Sequence, residues 1–72
     1  MNLDHLRYFK TIAECEHYGR AAEILHVSQP NLNYAVTQLE SELGVPLFEK
    51  AGRNVRLTRY GRLCLQSVTE SL

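Results

Sequence analysis

A small, mainly α domain closed by a β-hairpin is what this sequence predicts, and three observations predict it. Apolar residues recur at helical spacing through most of the chain, one segment bounded by Ser28 and Gly44 carries its own start and stop signals, and the period turns from helical to alternating after Gly44. With 72 residues the chain makes one compact module, burying about 60% of its unfolded-state surface and leaving no room for a walled substrate pocket. Hydrophobic residues at 44% and charged ones at 22% suit a folded domain and argue against disorder.

In chain order, Leu3 to about Glu16 reads as a first helix, with Asn2 as its cap and Leu3, Leu6, Phe9, Ile12 and Ala13 on one stripe. Tyr18 and Gly19 interrupt the pattern, and Arg20 to Leu25 forms a short second helix whose Ala21 and Ala22 allow a close crossing. His26 and Val27 can only turn, so the next helix follows at a steep angle, which is a helix-turn-helix arrangement. That third helix opens with Ser28 as N-cap and Pro30 in its first turn, and closes at Gly44. Leu32, Ala35, Val36, Leu39 and Leu43 lie on its core face. Pro30, Asn33, Tyr34, Thr37 and Ser41 gather opposite, and none is charged. A solvated helix face is ordinarily rich in Lys and Glu, so a row of short hydrogen-bonding groups suits a surface that meets something polar and close.

Beyond Gly44, Val45, Leu47 and Phe48 read as an extended segment around Pro46, and Val55 and Leu57 alternate with Arg56 in a second strand. Ala51, Gly52, Arg53 and Asn54 form the tip between them. A hairpin beside a helix-turn-helix is a wing, so the expected fold is a winged helix-turn-helix with a three-helix core and a two-stranded wing, followed by a long linker helix. Thr58 caps that last helix, whose stripe of Tyr60, Cys64, Val68 and Leu72, widened by Leu65, is more apolar than one small domain needs.

The formal net charge is +0, yet the charge is segregated. Acids dominate as far as Glu49, while Lys50, Arg53, Arg56, Arg59 and Arg62 follow with no acid among them, which is an electrostatic footprint for a polyanion. Cys15 and Cys64 stand far apart, so a disulfide framework is not expected and a reducing compartment fits. No apolar run reaches the ~18 residues of a membrane span. Cys15 and His17 form a C-x-H pair, but no second pair stands at ligand spacing, so neither a metal nor another cofactor is expected. His5 reads as a surface histidine, and Glu40 as a structural acid in want of a cation near the end of its helix. No set of nucleophile, base and orienting group can be assembled, and the chain is not expected to be an enzyme.

Four stretches now carry a resemblance: LRYF in the first helix, RAAEILHVSQP through the turn, LE..LGVPLF closing the third helix, and RNVRLTRYG from the wing into the last helix. Together they resemble the N-terminal DNA-binding domain of the bacterial LysR-type transcriptional regulators, in order and without gaps. The resemblance implies a winged helix-turn-helix DNA-binding domain over residues 1–58 and the start of a linker or dimerisation helix over 59–72. It further implies a cytoplasmic protein that binds double-stranded DNA as a homodimer or tetramer. A small-molecule effector is expected only for a C-terminal domain outside this chain.

The resemblance also implies site residues. Gln29 and Pro30 stand where base edges are met in the major groove: a Gln amide can bridge adenine and a Pro ring can touch a thymine methyl. Asn33 replaces a common Ser, Tyr34 a common Arg that reaches phosphate, and Thr37 a position that is often basic. Arg53 matches the wing Arg that enters the minor groove, with Lys50 and Arg56 beside it on the hairpin. Tyr60, Cys64, Leu65, Val68 and Leu72 are the expected dimerisation stripe. From another class comes the rival expectation of a winged-helix protein-interaction module with weak or no DNA binding, favoured by zero net charge and the two missing cations.

Overall fold

The structure, a computed structural model, describes residues 2–71. Its elements run α1 (Leu3–Cys15), α2 (Tyr18–Leu25), α3 (Gln29–Leu43), β1 (Phe48–Ala51), β2 (Asn54–Leu57) and α4 (Arg59–Ser71). The winged helix-turn-helix expected from the sequence is the architecture observed.

Each helix start has an identifiable cap. Asn2 Oδ1 accepts from Asp4 N–H at 2.7 Å, and Ser28 Oγ accepts from Asn31 N–H at 3.2 Å. Tyr18 and Gly19 do not interrupt a helix, as the sequence had implied, because His17 acts as N-cap and lets α2 begin at Tyr18. Its Nδ1 accepts from Arg20 N–H at 3.0 Å. α1 ends one residue earlier than expected, where Glu16 turns left-handed at φ 54°. α3 has the predicted bounds and closes on Gly44 at φ 74°.

Two apolar clusters make the core. Ile12, Ala21, Ala22, Leu32 and Val36 join α1, α2 and α3, the two alanines being the small residues that let the helices approach closely. Phe9, Leu39, Leu47 and Val68 join α1 and α3 to α4, with the Phe48 ring packed against both clusters. Leu43, expected on the buried face, is 40% exposed, because the chain leaves the helix at Gly44 before anything can cover its last turn.

The wing is tied to this core by backbone bonds. β1 and β2 pair antiparallel from Phe48 opposite Leu57 to Ala51 opposite Asn54, so only Gly52 and Arg53 form the turn and the strand begins at Phe48 rather than Val45. Val55 N–H donates to the Glu16 carbonyl at 3.3 Å. Leu47, fully buried yet outside regular structure, has both backbone groups satisfied: its N–H donates to Glu40 Oε2 at 2.7 Å and its carbonyl accepts from Thr58 N–H at 3.0 Å. Glu40 is therefore structural, as expected, but its partner is a backbone N–H and not a cation. Thr58 donates its hydroxyl to the Pro46 carbonyl at 2.6 Å and caps α4 by accepting from Gly61 N–H at 3.0 Å.

Tyr18 packs edge-on to Phe48 with ring centroids 6.1 Å apart. Burial, and secondarily the Glu40 carboxylate, push its hydroxyl from the ordinary value of 10.0 up to about 12. The unfolded chain then releases this proton above pH ~10 while the folded chain holds it to ~12, so stability is full below that window and falls across it. Allowing for a ring that is only partly buried, the loss is about 1 kcal/mol. Urea midpoints at pH 9 and pH 12 are expected to drop less for Tyr18→Phe than for the unaltered protein.

Candidate nucleic-acid interface

The two sides of α3 differ in the way the sequence implied. Leu32, Ala35, Val36 and Leu39 are buried, while Gln29, Pro30, Asn33, Tyr34 and Thr37 are all exposed on a face without charge. The helix is fixed by its core side and free on its polar side, so these groups are presented on a rigid rod. Tyr34 is 60% exposed, yet its ring is not loose: His5 of α1 meets it edge-on with centroids 6.1 Å apart. His5 is half-buried and not the surface histidine expected, and its Nδ1 lies in the interior without a partner.

On the wing, Arg53 occupies the exposed second position of the two-residue turn, held away from the core by the hairpin. Gly52 before it takes φ 66°, a positive φ that glycine supplies without strain at the first position of a two-residue hairpin turn. Lys50 is exposed, and by register it stands opposite Val55. Arg56 differs. Its Nε donates to Glu49 Oε1 at 3.0 Å directly across the strands, so the acid just before the basic stretch offsets one of its charges. Both side chains are about half exposed, and such a pair contributes little to stability. What it does is leave Lys50 and Arg53 as the less encumbered cations of the wing.

On α4, Arg59 lies 4.9 Å over the Tyr60 ring and its Nη2 donates to the Tyr60 hydroxyl at 2.8 Å. The expected dimerisation stripe is partly spent at home. Val68, 5% exposed, is part of the chain's own core, and Cys64 and Leu65 pack half-buried against the same cluster, because α4 docks on α1 rather than standing free. Val68 is thereby corrected from a surface contact to a core residue. Leu72 lies outside the described residues. The most open apolar side chain of the helix is Leu63 at 65% exposure.

Sequence reasoning missed two neighbours of the reading face. His5 meets the Tyr34 ring edge-on, and Gly19 leaves open the space beside the Gln29 amide. The usable signal is a glycine within helical spacing, one residue after Tyr18.

A helix-turn-helix whose third helix presents an uncharged polar face beside a basic hairpin defines a winged helix-turn-helix module. The chain belongs to the lysR family of bacterial regulatory helix-turn-helix proteins, whose model matches residues 3–62. It is 44% identical over 72 residues to the transcriptional regulator IlvR of Caulobacter vibrioides, covering all of this chain and 24% of IlvR. It is 50% identical over 62 residues to the regulator CatR of Pseudomonas putida, covering 86% of this chain and 21% of CatR. Among solved structures it is similar to full-length CbnR, a LysR family transcriptional regulator, with TM-score 0.94 and 37% identity over 99% of this chain and 25% of that one. A CbnR_DBD–DNA complex matches with TM-score 0.93 and 37% identity, covering 99% of this chain and 82% of that one. The chain spans about a quarter of the length of the curated relatives IlvR and CatR.

Proposed function

We propose that this chain is the DNA-binding domain of a LysR-type transcriptional regulator and reads duplex DNA sequence-specifically, with α3 in the major groove and the wing against the adjacent minor groove. The observation that carries this is the exposed face of Gln29, Pro30, Asn33, Tyr34 and Thr37 on a helix anchored by its opposite side. Gln29 bridges a base edge, Pro30 touches a thymine methyl, and Asn33 offers donor and acceptor one turn further on. Tyr34 and Thr37 meet the sugar-phosphate backbone, Arg53 enters the minor groove, and Lys50 and Arg56 approach phosphate. Residues 1–58 do the reading, and α4 begins the dimerisation helix through Tyr60, Cys64 and Leu65, with Leu63 as its open apolar side chain. The working unit is a cytoplasmic homodimer on two half-sites, and a small-molecule effector acts through a further domain.

Footprinting titrations on selected duplexes test this. Gln29→Ala is expected to cost about 1–3 kcal/mol and relax preference at one base position. Arg53→Ala is expected to weaken binding most on sites with a narrow, A-tract minor groove. Unchanged affinity and unchanged sequence preference in both variants would sink the assignment. Undetectable binding to random duplex even at low salt would favour a protein-interaction module instead.

A further inference from the structure

Gly19 sits in the first turn of α2 with no positive φ, so the backbone itself does not call for glycine, which weakens a helix relative to alanine. The reason lies in what surrounds it. A Cβ at this position would stand 2.9 Å from Cε1 and 3.3 Å from Nδ1 of His17, and 3.4 Å from Nε2 of Gln29. The His17 ring therefore fills the space a residue 19 side chain would take, and the Gln29 amide, on the first residue of α3, lies at van der Waals distance from that space. The imidazole is not free to swing aside, because its Nδ1 accepts from Arg20 N–H at 3.0 Å and that bond is the N-cap of α2. With Nδ1 an acceptor, the neutral ring carries its proton on Nε2.

We infer that Gly19 is a positioning residue for Gln29: the notch left by its missing side chain seats the His17 ring and the Gln29 amide together, so the cap of α2 sets where the base-reading amide stands. This inference rests on the DNA-reading assignment above and deepens it. A methyl group at position 19 overlaps the ring, which must either give up the Arg20 N–H or slide toward Gln29. Both movements alter the surface on which the amide rests. Residues in contact in this way give non-additive effects when changed together.

The test uses duplexes selected from a randomised library by the unaltered protein, with the best of them titrated against variants. Gly19→Ala is expected to lower affinity roughly fivefold, to flatten preference at the base position that Gln29→Ala flattens, and to leave binding to a random-sequence duplex within about twofold. Adding His17→Ser is expected to relieve the overlap and keep the cap, because Ser caps a helix well and does not reach over position 19, yet to leave the base preference flattened, because the ring beside Gln29 is gone. That double variant also keeps the test open should Gly19→Ala alone fail to fold. In a Gln29→Ala background the Gly19→Ala effect is expected to vanish. Base preference in Gly19→Ala identical to that of the unaltered protein overturns the positioning role, and so does a double variant that regains the full preference without the ring. If the unaltered protein selects no sequence at all, the DNA-reading assignment falls and this inference falls with it.

Discussion

Gly61→Ala is expected to destabilise the fold by about 3 kcal/mol, although alanine is intrinsically the better helix former by ~1 kcal/mol. Gly61 is buried in the first turn of α4, where a Cβ would overlap the Leu47 carbonyl oxygen and lie 2.8 Å from Leu57 Cδ2. Neither neighbour can yield cheaply. The Leu47 carbonyl accepts from Thr58 N–H, and the Leu47 side chain is fully buried with Phe9, Leu39 and Val68. Moving α4 outward instead would strip Val68 from that cluster and strain the two Thr58 hydroxyl bonds to Pro46 and Gly61. For a chain of this size the loss corresponds to a melting midpoint lower by roughly 12–24 °C. Gln66→Ala, at an exposed position on the same helix, is the control and is expected to stay within about 0.5 kcal/mol. A Gly61→Ala protein that melts with the unaltered one would show that the close approach of α4 to Leu47 is not part of the folded state.

This glycine also marks the boundary of what the sequence reveals. α3 was legible end to end, because Ser28, Pro30 and Gly44 are local signals and its apolar spacing is regular. The hairpin was legible for a similar reason, since Gly52 and Arg53 stand between alternating strands. Features set by distant partners were not. Nothing around Gly61 announces Leu47, nothing around Gly19 announces the Gln29 amide, and the apolar spacing of α4 cannot say that Val68 is used within the chain. In the interface the same division holds. The exposed face of α3 followed from periodicity, while the His5 ring behind Tyr34 depends on how α1 meets α3, and the Glu49 partner of Arg56 on the register of the hairpin.

Tyr34→Arg is expected to raise affinity for duplex DNA of any sequence, and the gain should be salt-dependent. Tyr34 is exposed on the reading face, where the resemblance to the LysR-type regulators places an Arg that reaches phosphate. A restored phosphate contact releases about one more counterion, so the slope of log K against log salt steepens by about 0.9. Between 50 and 200 mM salt that slope removes roughly 3.5-fold of the gain, which separates a phosphate contact from a change in folding or packing. Discrimination between selected and random duplex should fall, because the added term is blind to sequence. The substitution also removes the edge-on contact with His5, whose Nδ1 is already without a partner, so a small stability cost of about 0.5–1 kcal/mol accompanies the gain. Tyr34→Ala carries that same stability cost without the cation and is expected to leave the salt slope unchanged. Titrations of the three proteins across salt settle the matter: an Arg variant whose slope matches that of the Ala variant would remove position 34 from the DNA backbone and weaken the placement of α3 in the major groove.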